Sequence, residues 1–302
     1  MRSFFLHLAQ NRTLSSLAKR YGLRYGAQRF VAGETIESAI ETVRKMNQDG
    51  MGVTLDHLGE FVEDEADARA STDFCLQTIA AIHDEGVNAS LSLKMTQLGL
   101  DIRKDLCKEH MLEILDYASM RGIWVNIDME DFGHCQVTVD LFRDFAASYE
   151  KVQTVIQSYL YRSEADVKEL AQMEASIRIV KGAYKEPSTV AFPEKADVDA
   201  NYKRLLDIHL PSPGLTSIAT HDEHMIDHAK QVIKKNGLSA NQYEFQMLFG
   251  IRSDLQQQLV REGYPVRIYV PYGDDWYGYF MRRLAERPAN VSFVLRGIFH
   301  GV

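Results

Sequence analysis

From Gly52 onward the chain repeats one alternation eight times: a short run rich in β-branched residues, then an amphipathic stretch of helical length. The runs are Gly52 to Leu55, Ala89 to Leu93, Ile123 to Ile127, Val152 to Tyr159, Ile177 to Val180, Thr216 to Ala219, Tyr243 to Leu248 and Val266 to Val270. Helix candidates separate them: Asp64 to Glu85, Lys104 to Arg121, Val137 to Tyr149, Glu164 to Glu174, Ala196 to His209, Glu223 to Lys235 and Ser253 to Glu262. Strands joined by helices pair in parallel through right-handed crossovers. Eight strands in this rhythm close a (β/α)8 barrel, with an open doubly wound sheet as the alternative. The expectation is an α/β protein with one domain: a helical arm over residues 1–48, packed on a barrel over residues 49–302.

Each run finishes near a polar or aromatic group: Asp56, Lys94, Asp128, Gln157, Lys181, His221, Gln246 and Tyr269. In a barrel those ends share one face, where active sites are built from several strands at once. A single polar strand end is ordinary turn chemistry. Ionisable groups at so many ends are harder to dismiss, because a buried charge is costly unless paired or used.

Charge excludes one class of partner. The formal net charge is −8, whereas a dedicated nucleic-acid binder shows a basic stripe and a high pI. Residues 1–33 nevertheless hold six Lys/Arg and no Asp or Glu. That basic arm reads as lying against the acidic remainder of its own chain, with a transit peptide or a contact with anionic lipid as alternatives. No apolar run approaches bilayer-spanning length. Cys75, Cys107 and Cys135 form no CxxC or zinc spacing, which fits reduced thiols in a cytosolic compartment.

Four segments carry candidate chemistry. Asp128 stands where the third strand should end, either as a carboxylate orienting a cation or as the N-cap of the next helix. In Arg178-Ile-Val-Lys-Gly-Ala-Tyr184, period-two alternation places Arg178 and Val180 on one strand face and Ile179 and Lys181 on the other. A cation on each side requires an anionic ligand or carboxylate nearby, and Gly182 with Ala183 allows backbone amides to approach such a ligand. His221, His224 and His228 raise a metal alternative through the i, i+4 pair His224/His228, but no HxH or HExxH is present and no metal is expected. Last, Tyr279 precedes Arg282 and Arg283 on one predicted helix. The pair reads either as a solvated face or as a clamp for a small carboxylate beside an aromatic wall.

Taken together, Leu58-Gly-Glu60, Ser92-Leu-Lys94, Asn126-Ile-Asp128, Val155-Ile-Gln157, Arg178 to Tyr184, Ala219-Thr-His221, Tyr243 to Gln246, and Arg267-Ile-Tyr269 with Tyr279-x-x-Arg282-Arg283 resemble the proline dehydrogenase family. The likeness runs from about Phe30 onward and is similar to the short monofunctional bacterial form. It implies a distorted (β/α)8 TIM barrel with its last helix over the mouth, non-covalent FAD, and oxidation of L-proline to Δ1-pyrroline-5-carboxylate. By resemblance, Asp128 and Arg178 are the catalytic pair. Lys94, Arg282 and Arg283 grip the proline carboxylate, Tyr269 and Tyr279 wall the ring, and Glu60 is a gate paired with an arginine when the site is empty. Met129, Gln157, Arg178, Val180, Lys181, Gly182, Ala183, Tyr184, Thr220 and His221 hold the flavin and its phosphates. The resemblance also implies a quinone acceptor, which gives the basic arm a use in peripheral contact with the inner face of the membrane from a cytoplasmic location. A metal-dependent barrel hydrolase using His221, His224 and Asp128 is the rival reading, and a non-catalytic amino-acid-binding barrel is a third.

Overall fold

The computed structural model describes residues 30–59, 62–277 and 279. Eight parallel strands form a closed barrel in chain order: β1 (Gly52–His57), β2 (Ala89–Leu93), β3 (Val125–Ile127), β4 (Val152–Gln157), β5 (Ser176–Val180), β6 (Thr216–Ala219), β7 (Tyr243–Leu248) and β8 (Val266–Tyr272). The ring closes where β1 meets β8, from Gly52 opposite Arg267 to His57 opposite Tyr272. All eight expected strands are present, so the open sheet is set aside.

The helices are α1 (Ile36–Gln48) ahead of the barrel, then α2 (Glu65–Asp84), α3 (Lys104–Ser119), α4 (Phe132–Ala146), α5 (Ser163–Gln172), α6 (Lys195–His209), α7 (Glu223–Asn236) and α8 (Ser253–Arg261). Asp64, Asp131 and Asp222 cap α2, α4 and α7, each carboxylate accepting from a backbone N–H of the first turn. The cap at Asp131 starts α4 five residues earlier than the sequence pattern suggests. His134 in its first turn is polar, but the Asp131 side chain accepts its N–H, and an N-terminal turn needs only such a partner for its free amides. Ahead of the barrel, Thr35 caps α1, which lies against β1 and β8. The chain reaches it along the end of β8, with Ala32 N–H donating to the Pro271 carbonyl at 2.9 Å.

The two faces of the strands differ in polarity. Outward residues such as Val53, Leu55, Leu91, Val125, Ile177, Ile179, Ile218, Phe245 and Ile268 are fully buried in the apolar shell beneath the helices, each side chain contributing about 1.5–3 kcal/mol. The interior of such barrels is commonly filled by branched apolar side chains; here it is polar. Thr54, Ser90 and Asn126 form one buried hydrogen-bonded set. Gln153, Ser217, Glu244, Gln246 and Arg267 form another, reaching across the barrel from β4 to β6 and on to β8. Burial raises the Glu244 carboxyl, but the Arg267 guanidinium and the surrounding donors outweigh it and hold the group below its ordinary value. Among the described residues no helix is long and apolar enough to cross a membrane.

Candidate active site

Two residues near the C-terminal ends of β3 and β5 meet inside the barrel. Asp128 follows β3 directly, its amide tied to the Leu93 carbonyl at 2.8 Å. One carboxylate oxygen accepts Arg178 Nη1–H at 2.6 Å and Ser92 Oγ–H at 2.9 Å. The other accepts the Tyr269 hydroxyl at 2.6 Å. Of the two roles open to Asp128, the capping role belongs to Asp131, and Asp128 is the centre of a largely buried polar cluster whose other members come from β2, β5 and β8.

Arg178 is 4% exposed, and its guanidinium carbon lies 5.4 Å from the centroid of the Tyr269 ring. Such a cation beside a ring face is favourable when water is excluded. Its Nε and Nη2 have no hydrogen-bond partner among the described residues. Unsatisfied buried donors are costly, so two on one guanidinium mark a place built to meet an acceptor. Burial pushes the Tyr269 hydroxyl well above the ordinary phenol value, and the Asp128 and Asp56 carboxylates add to it against Arg178. Tyr269 is therefore a neutral donor.

Lys94, one residue past β2, sits beside this cluster with its ammonium 3.8 Å from the buried Asp56 carboxylate. Tyr279 is buried. Glu60, Arg282 and Arg283 lie outside the described residues, as do residues 1–29 of the basic arm and the last helix expected over the mouth.

The residues expected to hold a cofactor line the β3 to β6 side of the same rim. Met129 is buried, and Gln157 donates to the Glu130 carbonyl at 2.8 Å. Val180 is half-buried, while Gly182, Ala183 and Tyr184 are exposed. Lys181 is held by two carboxylates, Asp199 at 2.5 Å and Asp222 at 2.7 Å. Burial raises both acids, yet the Lys181 ammonium draws each below its ordinary value. The two cations inferred on opposite faces of β5 thus each have carboxylate partners. Gly182 is glycine for a local reason: φ is +111°, and a Cβ there would stand 2.2 Å from the Tyr159 ring. Thr220 accepts the Asp222 amide. His221 Nε2 accepts the Leu248 amide at 3.0 Å, which leaves the ring proton on Nδ1.

Of the candidate metal pair His224 and His228, the second is engaged with Asp207 at 2.8 Å. No group of three or more His, Cys, Asp or Glu side chains able to hold a metal occurs among the described residues. Sequence reasoning did not reach Ser92, the Glu244–Arg267 pair or the rim contacts of Gln97 and Glu130. The available signal was the polar residue at every second position of strands buried on both faces.

Comparison with known proteins gives a consistent picture. The family model for proline dehydrogenase matches residues 39–296. The chain is 51% identical over 297 residues to proline dehydrogenase 2 of Bacillus subtilis (strain 168), covering 98% of each chain. It is 45% identical over 280 residues to the proline dehydrogenase of Deinococcus radiodurans, covering 91% of this chain and 90% of that one. In fold it resembles proline utilization A from Bdellovibrio bacteriovorus, with a TM-score of 0.83 at 24% identity, over 95% of this chain and 35% of that one.

Proposed function

Because the chain belongs to the proline dehydrogenase family, we propose that it oxidises L-proline to Δ1-pyrroline-5-carboxylate, the first step of proline degradation to glutamate. FAD, held without a covalent bond, is the proposed cofactor and a quinone the proposed electron acceptor. The observation that carries the reading is the buried Arg178 guanidinium, anchored by Asp128 through one nitrogen and with two donors unpartnered among the described residues.

These residues fit a flavin. Its ring edge presents acceptor atoms, which is what Arg178 Nε and Nη2 lack. When bound, the flavin accepts the two electrons and the hydrogen removed from the substrate carbon next to nitrogen. Met129, Gln157, Arg178, Val180, Lys181, Gly182, Ala183, Tyr184, Thr220 and His221 are the proposed holding residues. Lys181 has Asp199 and Asp222 as counterions, and His221 is held on this rim by accepting the Leu248 amide.

The remaining work falls to the chain. Lys94, with Arg282 and Arg283 from outside the described residues, binds the proline carboxylate and fixes the ring. Charge-assisted hydrogen bonds to a carboxylate are strong and directional, and orientation of this kind lowers the barrier by several kcal/mol, on the order of 7. Tyr269 and Tyr279 wall the five-membered ring and exclude water. Asp128 holds both Tyr269 and Arg178 in place, so the donors of Arg178 are fixed before negative charge develops beside them. Cations around the substrate nitrogen favour its neutral form, the form from which hydrogen is removed. Glu60 is the proposed gate.

A cytoplasmic location, with the basic arm touching the inner face of the membrane, is the proposed setting for a quinone acceptor. Trapping the product imine with o-aminobenzaldehyde, with a soluble quinone as oxidant, tests the reaction. Proline-dependent colour that requires the quinone supports it, and no colour with any acceptor refutes it.

A further inference from the structure

The turn after β2 carries Lys94, and it is bolted to the barrel on both sides. It is a single 3-10 turn, Thr96–Leu98, and so short a helix has little internal hydrogen bonding to fix it. On the β1 side, Gln97 Nε2 donates to the Gly59 carbonyl at 3.0 Å and the His57 carbonyl at 3.5 Å. The same side chain turns back, and its Oε1 accepts the Lys94 amide at 3.1 Å. On the β3 side, Glu130 accepts the Thr96 amide at 3.2 Å and the Thr96 hydroxyl at 2.6 Å. The Glu130 backbone carbonyl in turn accepts Gln157 at 2.8 Å. One run of hydrogen bonds therefore spans the rim from the end of β1 to the end of β4, with the Lys94 backbone in its middle.

We propose that Gln97 and Glu130 are positioning residues that fix the backbone of Lys94 and thereby set affinity for the substrate carboxylate. The inference rests on reading Lys94 as a carboxylate ligand. Gln97 is 7% exposed and Glu130 9% exposed, so water does not compete for these bonds. Burying a carboxylate costs free energy that an apolar pair would avoid; two hydrogen bonds to one threonine offset part of that cost, and burial still holds the Glu130 carboxyl above its ordinary value. Neither side chain bonds to Asp128, Arg178 or Tyr269, so the device acts on Lys94 and not on the buried ion pair. The lysine stem has four rotatable bonds, and a carboxylate site set slightly out of place loses binding sharply.

The test is a mutant cycle read by calorimetry, using a five-membered-ring carboxylate that lacks the amine and cannot be oxidised. Thr96→Val removes one donor to Glu130 at nearly constant shape, and Thr96→Ser restores it. Gln97→Glu keeps the size but loses the donors to Gly59 and His57. With each variant folded, the Kd of the inhibitor and the KM for proline should rise about fivefold, equivalent to about 1 kcal/mol, with kcat within about twofold of the parent. Thr96→Ser should return both constants to the parent values. In a Lys94→Met background the added change should vanish. Unchanged Kd in both folded variants, a parallel fall in kcat, or an effect that persists fully without Lys94 would overturn the proposal. If Lys94→Met alone leaves Kd and KM untouched, the assignment of Lys94 fails, and the positioning role fails with it.

Discussion

Asp128 and Arg178 form a 2.6 Å ion pair, the arginine buried and the carboxylate half-buried, that joins the end of β3 to β5 across the barrel interior. The pair is asymmetric: Asp128 is saturated by Arg178, Ser92 and Tyr269, while Arg178 keeps two donors without partners among the described residues. The carboxylate is thus the anchor and the guanidinium the presented group.

Removing the anchor leaves a buried cation without its counterion. Asp128→Ala should lose about 3 kcal/mol of stability and about a hundredfold in kcat/KM. Arg178→Met, which fills the volume without charge, should lose activity with a smaller loss of stability. Denaturant unfolding beside steady-state kinetics separates the two, and an Asp128→Ala protein as stable as the parent contradicts the anchoring role.

Tyr269→Phe keeps the ring over Arg178 and deletes the donor to Asp128. A hydrogen bond to a charged acceptor contributes about 1.5–3 kcal/mol, so kcat/KM should fall about tenfold or more. Burial and Asp128 keep the phenol protonated far into alkali. The alkaline limb of the pH–rate profile should therefore stay in place in the variant; a limb that disappears would show that Tyr269 titrates.

His209 gives the fold an acid weakness away from the site. It is fully buried between α6 and β6, with Nδ1 accepting from Thr216 Oγ1–H at 2.7 Å and Nε2–H donating to the Ala175 carbonyl at 3.0 Å. Burial pushes its pKa down to about 4. The unfolded chain takes up the proton near pH 6.5, so the neutral ring's stabilisation is complete above that value. It is lost as pH falls towards about 4, to the extent of about 3 kcal/mol. Chemical denaturation at intervals between pH 7 and 4 should show this slope, flattened in His209→Gln.

Gly182→Ala should cost about 2 kcal/mol, since the new methyl meets the Tyr159 ring at 2.2 Å with φ held at +111°. Thermal unfolding reads this directly. A variant with the parent's Tm would mean that the Arg178 to Tyr184 segment follows a different path.

The barrel itself was legible because its signal, eight runs separated by helical lengths, is local and redundant. Strand ends were legible for Lys94, Asp128 and Lys181, each one residue past its strand, whereas Tyr269, expected at a strand end, lies inside β8, which runs on to Tyr272. What local reading could not settle was partnership. The sequence left Asp128 open as a helix cap, and only the fold brings Arg178 and Tyr269 to it and gives the cap to Asp131. Glu244 and Arg267 are 23 positions apart, and Thr96 and Glu130 are 34 apart; such contacts exist only once strands are in register. The polar residues alternating through β2, β4 and β7 resemble solvent-facing positions, whereas a closed barrel turns them inward.

The most direct test of the central claim is the visible absorption spectrum of the purified protein, recorded anaerobically before and after L-proline. Flavin-dependent oxidation of proline predicts a bound-flavin spectrum that bleaches on adding proline, and that bleaches far more slowly in Arg178→Met. A flavin spectrum that proline leaves unchanged, or a protein that stays colourless after incubation with FAD, would contradict it.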